Sequence, residues 1–132
     1  MIEQIKTFPG NVIAIEVIDG FTGTDQKMIE KLFQEKLKRG FDRINMLVKL
    51  DEMKISNSSI KAFMEDSIWA IRNYSYLGNF AIVAHSKIVK ALVPIDRFFF
   101  ERIQKGCEEK YFDVSQLDAA FQFIADEQVV SV

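Results

Sequence analysis

Few side chains in this chain belong to types that trade protons, attack a substrate or hold a metal. His85 is the sole histidine and Cys107 the sole cysteine. One imidazole and one thiol cannot supply a multi-histidine or Cys-rich zinc site, and an internal disulfide is excluded. His85 and Cys107 are the types of a nucleophile–base pair, but such a pair needs a third group to orient it, and no candidate stands at a telling position. Asp51 and Glu52 follow a strand-like run, as carboxylates often do in α/β enzymes, without a partner at metal-ligand spacing. They read as a solvated turn. Neither a Gly-rich phosphate loop nor a dinucleotide fingerprint occurs. The expectation is therefore no catalytic residue, no metal and no cofactor.

Chemistry of another kind sits between Lys87 and Lys105. On a wheel of about 100° per residue from Ile88, the side chains Leu92, Ile95, Phe99 and Ile103 share one face. Val89, Val93 and Phe100 form a second apolar row, and Ala91 and Phe98 widen the other side. That arc is broader than a surface helix normally buries. Lys87, Lys90, Arg97, Arg102 and Lys105 stand against Asp96 and Glu101, so five minus two gives +3 within a chain of net charge −2. Basic charge beside surplus aromatic surface suits a helix lying on an anionic membrane. Pro94 removes a backbone donor and disfavours helix at Val93, which predicts two short helices with a hinge that could admit an apolar ligand. Lys87, Lys90, Val93, Pro94, Arg97, Phe98, Phe99, Phe100 and Arg102 are thus the expected binding residues. A second reading stands beside this one: the Phe98-Phe99-Phe100 run packs on the sheet and on a dimer partner, with a solvated basic rim.

Trp69 lies about 180° from the stripe formed by Ile60, Phe63, Met64, Ser67, Ile68 and Ile71, among Glu65, Asp66, Arg72 and Asn73. It is either an interface anchor, a role aromatics often fill, or a ring covered by a neighbouring loop.

The elements that would carry these residues follow from periodicity. Ile2 to Phe8 and Asn11 to Asp19 flank Pro9-Gly10 and read as a β-hairpin, the second strand apolar on both faces and so interior. Thr24 is the expected cap of a helix with Asp25 in its first turn. Met28, Ile29, Leu32, Phe33 and Leu37 form its stripe, and Gly40 sits at a left-handed C-terminal cap. Arg43 to Leu50 is the third strand. Ser58 and Ser59 cap the second helix, Asn79 to His85 is the fourth strand, and Lys110 to Phe112 the last. Ser115 is expected to cap a closing helix buried through Leu117, Ala120, Phe121 and Ile124. The order β-β-α-β-α-β-α-β-α predicts a mixed, mostly parallel sheet with helices packed against it, in one domain spanning residues 1–132.

Composition agrees with a globular domain: 132 residues, 48% hydrophobic and 27% charged. A net charge of −2 gives no reason to expect nucleic acid. Twelve phenylalanines are many for so small a core. The first residues are strand-like, with no basic stretch followed by an apolar run, so no signal peptide is expected. The glycosylation match Asn57-Ser58-Ser59 is then idle, and a cytoplasmic location, peripheral at the inner membrane face, is expected.

Gly20-Phe21-Thr22-Gly23-Thr24-Asp25, Phe80-Ala81-Ile82-Val83 and the run from Tyr111 to Ala120 resemble the strand-to-helix turn, fourth strand and closing strand and helix of the SpoIIAA-like family, small bacterial proteins of STAS fold. The resemblance spans essentially the whole chain. It implies the mixed sheet already described, a homodimer, no catalysis, and binding of apolar ligands or membrane surfaces through a likeness to CRAL-TRIO lipid carriers. STAS anti-sigma-factor antagonists carry Asp-Ser-Ser-Gly at the start of the second helix, with the later serine phosphorylated. Here the stretch reads Asn57-Ser58-Ser59-Ile60, without the acidic residue and the glycine, and Ser59 is the position of the implied switch.

Overall fold

The computed structural model describes residues 1–19, 22–50, 77–85 and 109–130. Its frame is a five-stranded sheet in the order β1 (Ile2–Lys6), β2 (Val12–Val17), β3 (Ile44–Lys49), β4 (Leu77–Val83) and β5 (Glu109–Phe112). β1 pairs antiparallel with β2, and every later neighbour is parallel. The expected hairpin edge and mostly parallel interior are both present. Two of the expected helices, after β3 and after β4, fall outside the described residues.

Alternation along the strands divides the apolar side chains between two faces. Ile13, Ile15, Val17, Ile44, Met46, Val48, Phe80 and Ile82 pack on the first face, where α1 (Gly23–Lys38) contributes Ile29 and Phe33. Val12, Ala14, Leu47, Ala81 and Val83 line the second, where α2 (Leu117–Val130) contributes Ala120 and Ile124. Strands buried on both faces read as near-continuous apolar runs, and β2 and β3 do so apart from Glu16, Asn45 and Lys49. Met28 departs from the expected stripe of α1 and stands 39% exposed. Ile29 and Phe33, one turn apart, set the buried direction, and Met28 is rotated off it.

Both helix starts differ from expectation by about one residue pair. Thr22, not Thr24, caps α1: its extended backbone precedes Gly23, and its hydroxyl accepts the Asp25 N–H at 3.4 Å. The deciding signal is the Thr-x-x-Asp spacing, which places Asp25 at the third helical position where it can return a bond to the cap. Asp113, not Ser115, caps the single 3-10 turn Val114–Gln116 that leads into α2. Its carboxylate accepts from the Ser115 N–H at 3.0 Å, and the Gln116 side chain accepts from the Asp113 N–H at 3.2 Å. Gly40 has φ +94° and donates to the Leu37 carbonyl, ending α1 in the left-handed conformation expected there.

Candidate functional site

In open α/β sheets ligands gather outside the carboxyl ends of the parallel strands, because connections leave there and side chains converge on the edge. Here β2 leaves that edge for α1 on one face, whereas β5 leaves it for α2 on the other. Between them Leu50 donates its N–H to the Val83 carbonyl, and Ala84 to the Phe112 carbonyl, extending the ladder to the rim. Three ionisable clusters occupy this rim.

The first surrounds Asp25, 8% exposed. Its Oδ2 accepts from the Thr22 N–H at 2.9 Å and the Thr22 hydroxyl at 3.0 Å, and its Oδ1 accepts from the Ile2 N–H at 3.2 Å. The Met1 ammonium lies 3.1 Å away. Burial acts to raise this carboxyl, but the Thr22 bonds and the ammonium outweigh it and hold its pKa below the usual value. The second is a cross-strand pair on the α2 face, Glu16 and Lys49, 3.0 Å apart and register partners. That contact supplies the counterion for a Glu16 oxygen that has no other partner in hydrogen-bond geometry.

The third joins β4 to the start of α2. His85 is exposed just past β4. Asp113 receives the Ser115 hydroxyl at 2.6 Å as well as its N–H, and those bonds, assisted by the His85 charge, hold its carboxyl below the ordinary range. Serine, histidine and aspartate therefore meet by type, as in a hydrolytic triad. The arrangement differs: the serine proton points to the carboxylate, whereas nucleophilic attack needs the imidazole to take it. The cluster is a helix cap with a histidine beside it. Among the described residues, no group of three or more His, Cys, Asp or Glu side chains comes together as a metal site.

The residues singled out for binding, Lys87, Lys90, Val93, Pro94, Arg97, Phe98, Phe99, Phe100 and Arg102, lie outside the described residues. So do Trp69, Ser59, Cys107, Asp51 and Glu52. Along the chain, a single residue, Ser86, separates His85 from Lys87, so the basic, phenylalanine-rich stretch follows closely on β4 in sequence. Sequence reasoning passed over Asn45, Lys36 and the Glu16–Lys49 pair. Asn45 had a readable signal, a single amide among Ile44, Met46, Leu47, Val48 and Leu50. Lys36 had none, because its carbonyl partners on Phe8 and Gly10 are distant in sequence.

The phenylalanine surplus can be checked where side chains are described. Of Phe8, Phe33, Phe41, Phe80, Phe112, Phe121 and Phe123, Phe33 (2%) and Phe80 (1%) alone are enclosed. The other five are half-buried, with Phe8 against Phe121 and Phe112 against Phe123, both at 5.9 Å between centroids. No helix among the described residues is long and apolar enough to cross a membrane.

A family model described as SpoIIAA-like matches residues 12–125. No curated protein and no solved structure matches the chain.

Proposed function

Since the chain belongs to the SpoIIAA-like family, we propose that it is a non-enzymatic STAS-like binding protein that takes an apolar ligand or an anionic membrane surface through residues 87–105. The observation that carries this reading is the +3 charge of that stretch, five basic residues minus two acidic, interleaved with more apolar side chains than one helix face buries. Two features of the fold support it. In sequence the stretch follows β4, whose carboxyl end lies on the edge where α/β sheets present ligands. The described core leaves five of its seven phenylalanine rings half-covered, so partly exposed aromatic surface is already a property of this chain.

On this reading Lys87, Lys90, Arg97 and Arg102 meet the anionic groups, while Val93, Phe98, Phe99 and Phe100 enter the apolar phase about a hinge at Pro94. A homodimer anchored by Trp69 would place two such stretches together, and two weak surface contacts reinforce one another. The chain would act in the cytoplasm, at the inner face of the membrane.

Vesicle flotation tests this. The protein should float with phosphatidylcholine vesicles containing phosphatidylglycerol, more weakly as salt is raised. Indifference to acidic lipid, together with no lipid in native mass spectra of the purified protein, would remove the reading. The rival is a protein–protein regulator of the anti-sigma-factor-antagonist type switched at Ser59, a serine of the family's double-serine position. It predicts a phosphorylated Ser59 peptide in native material and no flotation.

A further inference from the structure

The pairing of β3 with β4 is interrupted. Ile44 faces Leu77 and Met46 faces Phe80, so Asn45 alone stands opposite two residues, Gly78 and Asn79. That is a β-bulge between parallel strands, a place where such bulges are rare and where one backbone group is freed from the ladder. The freed group has a defined destination. Asn45, wholly buried at 0% exposure, accepts the Asn79 N–H through Oδ1 at 2.8 Å. The other end of the same amide crosses to α2, where Nδ2 donates to the Ile124 carbonyl at 2.7 Å. Asn79 adds a long bond from Nδ2 to the Phe123 carbonyl at 3.4 Å.

These bonds are not helix caps. The carbonyls that a helix leaves without partners are its last four, and α2 continues to Val130, well beyond Phe123 and Ile124. They attach the helix to the sheet. Apolar packing seats the helix as well. Of α2's described side chains, Ala120 and Ile124 are the two fully buried, and Leu117, Phe121 and Phe123 are half-covered. Beneath lie Val12, Ala14, Leu47, Ala81 and Val83, each no more than 1% exposed.

We propose that α2 is a latched element: it opens from the sheet as a unit, independently of α1, and the Asn45 amide seated in the bulge is the latch. Opening would draw Ala120 and Ile124 off the apolar strip from Val12 to Val83. The inference rests on the described residues alone and holds whether or not 87–105 binds lipid. A buried amide bonded at both ends gives a directional attachment that apolar packing does not, and breaking its bond to Ile124 forfeits one good hydrogen bond.

Hydrogen exchange on Asn45→Leu tests the latch. Amides of residues 117–125 should exchange about tenfold faster, the equivalent of one buried bond, while those of β2 and α1 stay within about twofold of the parent. Unchanged protection in 117–125, or equal loss in β2 and α1, would overturn it. If Asn45→Leu does not fold, Asn45→Ser, too short to reach the Ile124 carbonyl, decides: it should loosen 117–125 while β2 and α1 stay within about twofold of the parent, and unchanged protection in 117–125 or equal loosening of β2 and α1 contradicts the latch.

Discussion

The two helices start alike and are held differently. Each opens on a capping box, Thr22 with Asp25 and Asp113 with Gln116. In α1 the box is also a tertiary joint, because the Asp25 carboxylate reaches the Ile2 N–H in β1. Ile29 and Phe33 then seat the helix on a core of large side chains, and at its far end Lys36 donates to the carbonyls of Phe8 and Gly10 across the hairpin turn. In α2 the Asp113 box is exposed and local, the buried side chains among those described are Ala120 and Ile124, and the long-range polar ties come from the amides of Asn45 and Asn79. One local motif thus serves two couplings, decided by whether its carboxylate faces another strand or solvent.

The comparison can be broken most forcefully at Phe33. Phe33→Ala leaves a cavity under α1 and should destabilise the whole fold by about 3–5 kcal/mol in denaturant melts. A loss confined to α1 would mean that this helix, too, is an independent unit. Next comes Asp25→Ala, expected at about 1–2 kcal/mol for a broken capping box and the lost bond to Ile2. The same carboxylate predicts acid sensitivity. Its folded pKa lies below its unfolded value, so its contribution is complete above about pH 4 and fades as pH falls toward the folded value. Melts of Asp25→Ala across that range should therefore be flatter than those of the parent, and equal slopes would sink the assignment. Ile124→Val should cost about 0.5–1.5 kcal/mol and speed exchange chiefly in α2. The smallest effect belongs to Asp113→Ala: fraying of the 114–116 turn in exchange data, with little change in the melting midpoint.

Much of this scaffold was readable in the chain. Period-two runs placed the strands, and a β2 apolar on both faces correctly signalled an interior position. Helix starts were read one pair late, at Thr24 and Ser115. Spacing separates Thr22, with Asp25 three positions on, from Thr24, with Lys27; it does not separate Asp113, with Gln116, from Ser115, with Asp118. Asn45 was visible as an oddity, but its meaning depends on a bulge in a strand more than thirty residues away, which no local pattern encodes. The rim cluster of His85, Asp113 and Ser115 was hidden for the same reason: only the β4–β5 register brings it together. The 87–105 stretch stands on composition and wheel geometry, legible in the chain before any fold is known.

That stretch carries the functional claim, and charge reversal probes it most directly. The double variant Lys90→Glu and Arg97→Glu, two residues outside the described scaffold, should melt like the parent and lose flotation with phosphatidylglycerol vesicles. A variant that folds normally and still floats as well as the parent would contradict recognition of an anionic surface by residues 87–105.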